Sequence, residues 1–226
     1  MNRVRYRATS GSTIFLLLFT SSLFSCGREA SNGSDEENSS VEAAEERNLD
    51  SLSTAAFASG CFWCVEAIFE SLRGVEEAVS GYAGGEEENP TYQEVSAGRT
   101  GHAESVMVYY DSTVIDYPTL VRVYYGSHDP TTVDGQAPDF GRQYRSVIFF
   151  GNEAERAIAV AFRDSLARSG AYDEPIATEI IPLERFWPAE EYHQDYERRN
   201  PDNSYVRNVS IPRLERFRKR FPELLK

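Results

Sequence analysis

Two cysteines lie where a short apolar run gives way to an amphipathic segment. Residues 54–59 are mostly apolar, Gly60 follows, and Cys61 comes directly after it. Apolar side chains then recur at helical spacing, so the pattern predicts a strand, a glycine turn and a helix with Cys61 on its first turn. The free N–H groups and partial positive charge of a helix N-terminus favour a thiolate and lower a cysteine pKa from about 8.5. Cys61 is therefore a candidate nucleophile, although a buried cysteine that merely opens a core helix is the simpler alternative.

The helix predicted over residues 61–72 has one apolar face. Its members are Phe62, Val65, Ile68, Phe69 and Leu72. Glu66 and Glu70 fall on the other side of the helix. Trp63 lies off the apolar stripe, so the core does not require it. A large aromatic side chain beside a thiolate can form the wall of a small apolar pocket.

Cys61 and Cys64 form a CxxC pair. At positions i and i+3 of a helix start, the two sulfurs can approach closely enough for a disulfide. In an exported domain a redox role is favoured over a metal role. A zinc site would need two more soft ligands, and the chain has only three histidines, so we expect no metal. The alternative for Cys64 is packing on the apolar side of the helix.

Glu104 opens a predicted strand and shares one of its faces with Val106 and Val108. A carboxyl group held in apolar surroundings has a raised pKa and can donate a proton near neutral pH. The alternative is an exposed acid at the end of a strand. Glu104 is thus a candidate general acid.

Several other polar side chains are weaker candidates. Tyr92 and Tyr144 lie in two long loop regions, and their hydroxyls could bind a polar oxygen, with aromatic packing as the alternative. Asp139 is of a type that most often serves turns. His102 is interpreted as a turn residue and His193 as a hydrogen-bonded surface or core histidine.

The chain alternates between predicted strands, helices and two long loops. The predicted strands are 54–59, 75–82, 103–110, 145–150 and 176–181. The predicted helices are 61–72, 116–126 and 152–170. The order β-α-β-β-α-β predicts an α+β fold of the split β-α-β (ferredoxin-like) type. This is a two-layer sandwich with helices on a mixed sheet, a further helix and strand appended, and loops 83–101 and 127–143 forming the site. Residues 183–226 are expected to wrap the domain, and 213–226 to form a basic helix that serves packing only.

The N-terminal segment has the features of an export signal. Three arginines precede an apolar run over 13–24 that ends in Ser25-Cys26 and is too short to span a bilayer. The segment resembles a bacterial lipoprotein signal, which implies cleavage before Cys26 and a lipid on its sulfur. An ordinary secretory signal or an uncleaved anchor is the alternative. We therefore expect a signal peptide over 1–25 and a flexible acidic tether over 26–52, starting at the lipidated cysteine.

The folded domain is expected over residues 53–226, exported and held at the periplasmic face or cell surface by the lipid alone. The formal net charge of −13 argues against binding of nucleic acid. The length suits one domain, which we expect to be a monomer.

Together these motifs resemble the peptide methionine sulfoxide reductase family, A type. Gly60-Cys61-Phe62-Trp63-Cys64-Val65-Glu66 is similar to the family's GCFWxxE signature. Further matches follow in family order: Gly81-Tyr82-Ala83-Gly84-Gly85, Asn89-Pro90-Thr91-Tyr92, Gly101-His102-Ala103-Glu104, His128-Asp129-Pro130 and Gln143-Tyr144-Arg145-Ser146. The resemblance spans about residues 54–200 and implies that the domain is catalytic.

The resemblance implies a reaction at Cys61. Its thiolate would attack the sulfur of methionine S-sulfoxide, free or in a peptide, and Glu104 would protonate the departing oxygen. The products would be methionine and a sulfenic acid on Cys61, which condenses with a nearby thiol.

The resemblance also implies roles for side chains around the reacting sulfur. Tyr92 and Tyr144 would hydrogen-bond the sulfoxide oxygen. Phe62 and Trp63 would hold the S-methyl group, and Asp139 would join the polar network.

The route back to the thiol differs from that of many family members, whose resolving cysteines lie near the C-terminus. Residues 201–226 contain no cysteine, and Cys26 is expected to carry lipid. We therefore hypothesise that Cys64 resolves the sulfenic acid, with no cofactor and with a thioredoxin-like or other dithiol reductant reopening the disulfide.

Two other functions fit parts of the pattern. A CxxC pair near a strand-to-helix turn is typical of general thiol–disulfide oxidoreductases, but such an enzyme needs neither Glu104 nor the tyrosine loops. A surface-tethered binding module would need no reactive Cys61 at all.

Overall fold

The computed structural model describes residues 49–226, and the predicted signal peptide and Cys26 lie outside this range. The strands are β1 Ser53–Ser59, β2 Val75–Ala83, β3 Ala103–Tyr110, β4 Gly135–Gln136, β5 Asp139–Phe140, β6 Ser146–Phe150, β7 Glu179–Pro182 and β8 Phe186–Pro188. The α-helices are α1 Phe62–Glu70, α2 Tyr92–Ser96, α3 Tyr117–Gly126, α4 Glu153–Arg168, α5 Tyr196–Arg199 and α6 Ile211–Arg220. No helix among these residues is long and apolar enough to cross a membrane.

The main sheet has the strand order β7-β6-β1-β3-β2-β8. Strand β1 pairs antiparallel with both β3 and β6, and β2 pairs antiparallel with β3. This is the arrangement of a split β-α-β fold. The appended strand β7 runs parallel to β6 after the crossover helix α4, as parallel neighbours require. The predicted α+β class is therefore confirmed.

The central strands bury both of their faces. Phe57, Val106 and Ile148 pack with residues of α1 and α3 in the larger core. The opposite face is lined by smaller side chains together with Met107 and Phe149. Because successive strand residues point to opposite faces, this alternation decides which residues of β1 face the layer that contains α1 and α3.

Both predicted loops contain short regular elements. The loop over 83–101 includes α2, whose start is fixed by a capping box between Thr91 and Glu94. The loop over 127–143 contains the β4–β5 ladder. The last predicted strand begins at Glu179 rather than at residue 176, because Ala177 donates its N–H to the carbonyl of Pro130 instead of joining the sheet.

The turn from β1 to α1 depends on Gly60. Helix α1 begins at Phe62, so Cys61 occupies the N-cap position rather than the first turn. Gly60 has a φ of +88°, and an added Cβ would lie 2.9 Å from the Cβ of Gln136. A side chain at this position is thus opposed by both backbone conformation and neighbouring atoms.

We expect Gly60→Ala to lower the free energy of unfolding by about 2–4 kcal/mol, because strain and a close contact act together. Gly170→Ala is the matched control, since Gly170 has a φ of +71° with nothing within 4 Å of an added Cβ. The free energy of unfolding of that variant should fall by only about 1 kcal/mol, because the positive φ is then the only source of strain. Urea unfolding of both measures the difference, and equal losses would contradict the close contact with Gln136.

The C-terminal residues wrap α1, as expected. Helix α1 contacts both α5 and α6. A π-helical turn, Val206–Ser210, leads directly into α6. The prediction that residues 213–226 serve packing only is incomplete, because Arg213 is buried and donates hydrogen bonds to the carbonyls of Ser59 and Ser127.

Candidate active site

Cys61 lies at the N-terminus of α1 with 7% of its surface exposed. Burial raises the pKa of its thiol well above the ordinary value, and the Cys64 thiol and the Glu104 carboxyl raise it further. The predicted lowering of this pKa is therefore wrong for the substrate-free protein. Loss of hydration around the sulfur and the neighbouring acidic groups outweigh the helix N-terminus.

Glu104 points inward from β3 and is 2% exposed, so the alternative of an exposed strand-end acid is wrong. Its Oε2 accepts a hydrogen bond of 3.1 Å from the backbone N–H of Phe62, the residue after Cys61. Burial raises the pKa of this carboxyl to about 8, although the Phe62 N–H opposes the shift. At neutral pH Glu104 is thus a protonated acid beside the cysteine.

Tyr92, Asp139 and Tyr144 converge on the same place from three separate segments. Burial, and then the nearby Glu104 and Cys61, raise the pKa of Tyr92 to about 12. The pKa of Tyr144 is raised by burial, then by Glu104 and Tyr92. Both phenols therefore keep their protons and can donate them to a polar oxygen.

Aromatic rings surround the cysteine on the outer side of α1. The Phe62 ring centroid lies 6.2 Å from those of Trp63 and Tyr92. Trp63 is half-buried, stacks on Tyr196 with centroids 3.7 Å apart, and donates its indole N–H to Nδ1 of His193. The structure thus holds Phe62 and Trp63 in fixed orientations beside Cys61, where an apolar methyl group could pack.

Cys64 lies one turn along the helix and is 1% exposed. Its Sγ is 4.0 Å from the hydroxyl of Tyr205, and that hydroxyl donates a hydrogen bond to Asp139. The neighbouring Cys61 thiol, and then the charge of Arg213, lower the pKa of Cys64 to about 6, although burial opposes the shift. These neighbours thus favour a thiolate on Cys64.

Several residues at the site were not singled out from the sequence. Glu190 accepts hydrogen bonds from the Tyr92 N–H at 3.0 Å and from the Tyr82 hydroxyl at 2.8 Å. Tyr205 lies in a polar stretch with no periodic signal. For His193, the interpretation as a hydrogen-bonded surface or core histidine is confirmed, because it is 2% exposed, accepts the Trp63 indole N–H and also contacts Phe62 and Tyr92.

His102 has a local role. Its Nδ1 accepts the Gly85 N–H at 3.2 Å, and Nε2 donates to the Glu87 carbonyl at 2.8 Å. The ring therefore fixes the loop that precedes α2, in keeping with the interpretation as a turn residue.

Glu66 is 2% exposed, which departs from its expected position on the polar side of α1. Its carboxyl accepts hydrogen bonds from the Ser80 hydroxyl and the Asp195 N–H. Burial raises the pKa of Glu66 to about 8 and that of Glu70 to about 7. Glu66, Glu70 and Asp195 have ligand oxygens within 4.8 Å of one another, and protons held on Glu66 and Glu70 reduce the negative charge of the cluster. The helical pattern missed this because the C-terminal segment covers the polar face.

Glu66→Gln should raise the free energy of unfolding relative to wild type by about 1–3 kcal/mol above pH 8. Between about pH 4.3 and pH 8 the unfolded chain has lost the Glu66 proton and the folded protein retains it, so wild-type stability falls with rising pH. Glutamine carries no such proton, so the gain should grow across that window and stay constant beyond it. Urea unfolding at several pH values measures it, with the exposed Glu88→Gln as control. A pH-independent difference would contradict the assignment.

The sequence is similar to that of known methionine sulfoxide reductases. The family pattern described as "Peptide methionine sulfoxide reductase" matches residues 53–225. The chain is 50% identical over 170 residues to "Peptide methionine sulfoxide reductase MsrA" of Natronomonas pharaonis, covering 75% of this chain and 96% of the relative. The protein of the same name from Thermus thermophilus is 48% identical over 172 residues, covering 76% of this chain and 97% of the relative.

Solved structures give the same result. The chain resembles reduced Mxr1 from Saccharomyces cerevisiae with a TM-score of 0.63 and 34% identity, covering 67% of this chain and 87% of that one. It resembles methionine sulfoxide reductase A of Corynebacterium diphtheriae with a TM-score of 0.60 and 36% identity, covering 66% and 76%. These matches are methionine sulfoxide reductases and not general thiol–disulfide oxidoreductases. The chain therefore belongs to the peptide methionine sulfoxide reductase family, A type, whose reaction is the reduction of methionine S-sulfoxide to methionine.

Proposed function

We propose that Cys61 is the nucleophile and Glu104 the general acid of this reduction. The observation that carries the proposal is the Glu104 carboxyl, buried, protonated at neutral pH and hydrogen-bonded to the amide of Phe62 beside Cys61. A sulfoxide oxygen is a poor leaving group until it is protonated. A buried acid with a pKa of about 8 is suited to protonate it near neutral pH.

The first half-reaction balances within the site. The Cys61 sulfur attacks the sulfoxide sulfur, Glu104 gives its proton to the oxygen, and the oxygen is transferred to Cys61. The Cys61 thiol loses its proton in the same step, so a proton returns to Glu104 and methionine leaves with its sulfur reduced. The bound sulfoxide is what allows this buried thiol to react, because the proton that Cys61 loses replaces the one that Glu104 gives to the sulfoxide oxygen.

The tyrosines and aromatic rings are proposed to set the position of the substrate. Tyr92 and Tyr144 remain protonated near neutral pH and can donate hydrogen bonds to the sulfoxide oxygen. Phe62 and Trp63 would pack around the methyl group. Asp139 would act through Tyr205, to which it is hydrogen-bonded.

Cys64 is proposed to resolve the sulfenic acid. Its thiolate attacks the Cys61 sulfenic sulfur, hydroxide leaves and takes up a proton as water, and a Cys61–Cys64 disulfide forms. Two electrons from an external dithiol, of the thioredoxin type, then restore both thiols. The mutual effect of the two neighbouring thiols on each other's pKa supports this pairing.

The test is single-turnover reduction of the two methionine sulfoxide epimers by the full-length protein, next to an insulin-reduction assay. We expect methionine from the S epimer alone and little reduction of insulin. Equal turnover of both epimers, or efficient insulin reduction without sulfoxide turnover, would reject the proposed roles.

We further propose that the enzyme is an exported lipoprotein that repairs oxidised proteins outside the cytoplasm. The support is the sequence of residues 1–26, with its arginines, apolar run and Ser25-Cys26. Cys26→Ser should move the protein from the membrane fraction to the soluble fraction in bacterial cells. Unchanged membrane attachment of this variant would contradict lipidation at Cys26.

A further inference from the structure

Arg213 is a buried cation on α6, and no ion pair within the described part of the chain explains its burial. It is 9% exposed, and among residues 49–226 no carboxylate lies within ion-pair distance of its guanidinium. Its Nε donates to the Ser127 carbonyl at 3.1 Å, and its Nη2 donates to the Ser59 carbonyl at 3.0 Å. A buried charge without a counter-charge is costly, so its location requires a reason.

A cavity of about 420 Å³ is lined by both Arg213 and Cys64. The cavity is also lined by Tyr205, Asp139, Gln136 and His128. The ring of His128 is neutral, because burial lowers its pKa to about 3. The Asp139 carboxylate already accepts the hydrogen bond of Tyr205. Arg213 is thus a buried positive charge that favours a negative charge on Cys64 as well as on Asp139.

Other charged and titratable groups also face Cys64. Cys61 at the helix start and the phenol of Tyr205 contact it directly, and Glu104 acts on it from β3. Asp129, Arg216 and Arg220 lie on the outer parts of the cavity. The acids among these groups oppose ionisation of Cys64, and the exposed arginines are screened by solvent. The buried guanidinium therefore adds to the neighbouring Cys61 thiol in favouring a thiolate on Cys64, which burial opposes.

We propose that Arg213 is a positioning residue that keeps Cys64 ionised, and so sets both the rate and the direction of disulfide chemistry. The inference rests on the proposed function of Cys64 as the resolving thiol. In the forward step the Cys64 thiolate attacks the Cys61 sulfenic sulfur, one proton is taken up, and water leaves. In the reductive step a thiolate of the external dithiol attacks the Cys61 sulfur, and Cys64 departs as the better leaving group. The mixed disulfide therefore forms on Cys61, and the second thiol of the reductant releases it.

The experiment follows the Cys61–Cys64 disulfide after one turnover of the full chain, by rapid acid quench, alkylation and mass spectrometry, between about pH 6 and pH 9.5. Arg213→Met should slow disulfide formation roughly tenfold near pH 6.5 and leave it near the wild-type rate above pH 9, where Cys64 ionises unaided. Arg213→Gln, which keeps an N–H donor for the Ser59 carbonyl, should show the same alkaline shift if the methionine variant fails to fold. Arg213→Lys should restore the wild-type profile.

Lys219→Met is the matched control, because it removes one positive charge from the exposed face of the same helix. It should leave the profile unchanged, and all variants should release the first methionine at the wild-type rate. Wild-type disulfide rates near pH 6.5 in Arg213→Met or Arg213→Gln would overturn the inference, as would trapping of the mixed disulfide on Cys64. If wild type itself forms no Cys61–Cys64 disulfide, the proposed role of Cys64 fails instead.

Discussion

Glu104→Gln should lower the rate of methionine formation in a single turnover by about 10²–10⁴ near pH 7, the usual effect of losing a general acid. The glutamine side chain matches the shape of the protonated carboxyl and can still accept the Phe62 N–H through its amide oxygen. The cysteine and its aromatic surroundings should therefore keep their geometry. The departing sulfoxide oxygen loses only its proton donor.

The effect of Glu104→Gln on the rate should decrease as the pH rises. Glu104 is protonated below about pH 8, so its contribution is complete at neutral pH and disappears as the pH rises through that value. The ratio of wild-type to variant rates should therefore shrink above pH 8. A ratio that is constant up to pH 10 would contradict a role as acid.

Glu66→Gln is the matched control for this measurement. Glu66 is also buried, its pKa is also raised to about 8, and it lies on α1 within the same signature. Its hydrogen bonds go to Ser80 and Asp195, away from the reacting sulfur. The control should keep a single-turnover rate close to wild type. Equal losses in the two variants would mean that a buried carboxyl anywhere near α1 matters only for the fold.

The predictable part of the molecule is the part with local periodicity. Alternation along β1 and β3 and the apolar stripe of α1 define the split β-α-β core, and the structure has these elements within two or three residues of the predicted bounds. The strand-to-helix turn places Cys61, and the face alternation of β3 turns Glu104 inward. The nearness of these two side chains follows from β1 pairing with β3.

The unpredicted part depends on chain segments that are distant in sequence. Tyr205 and Arg213 reach Cys64 from the C-terminal segment, whose polar composition carries no signal of burial. Glu66 falls on the polar side of an isolated helix, yet the same segment covers that side. The apolar pattern of α1 indicates only the face that packs on the sheet. In the folded protein the C-terminal segment also covers the opposite face of α1.

The pKa of Cys61 could not be predicted for a related reason. A helix N-terminus favours an anion by roughly 1 kcal/mol, whereas burial of a thiol beside Glu104 and Cys64 acts in the opposite direction and is stronger. The sequence identifies the start of the helix, but the extent to which the folded protein excludes water from the Cys61 sulfur cannot be read from it. The consequence is that burial disfavours a thiolate on the attacking Cys61, whereas the Cys61 thiol and Arg213 favour one on Cys64.

Cys64→Ser should separate the two halves of the cycle. The variant should release about one equivalent of methionine per enzyme at a rate near wild type, because Cys61 and Glu104 are intact. Steady-state turnover with a thioredoxin-type dithiol should then fall by about 10² or more, because no intramolecular thiol is held at high effective concentration next to the sulfenic acid. The measurement combines methionine release with trapping of the sulfenic acid on Cys61 by a dimedone-type reagent.

Cys61→Ser serves as the reference for this experiment, since it should release no methionine and trap no sulfenic acid. Cys64→Ser should instead show full trapping, and a small thiol at high concentration should restore part of its turnover by reducing the sulfenic acid directly. Steady-state rates equal to wild type in Cys64→Ser would mean that the external dithiol reaches Cys61 without a resolving cysteine. The low exposure of Cys61 and the closeness of the Cys64 thiol argue for the opposite result, because the thiol already held beside Cys61 has the shortest path to the oxidised sulfur.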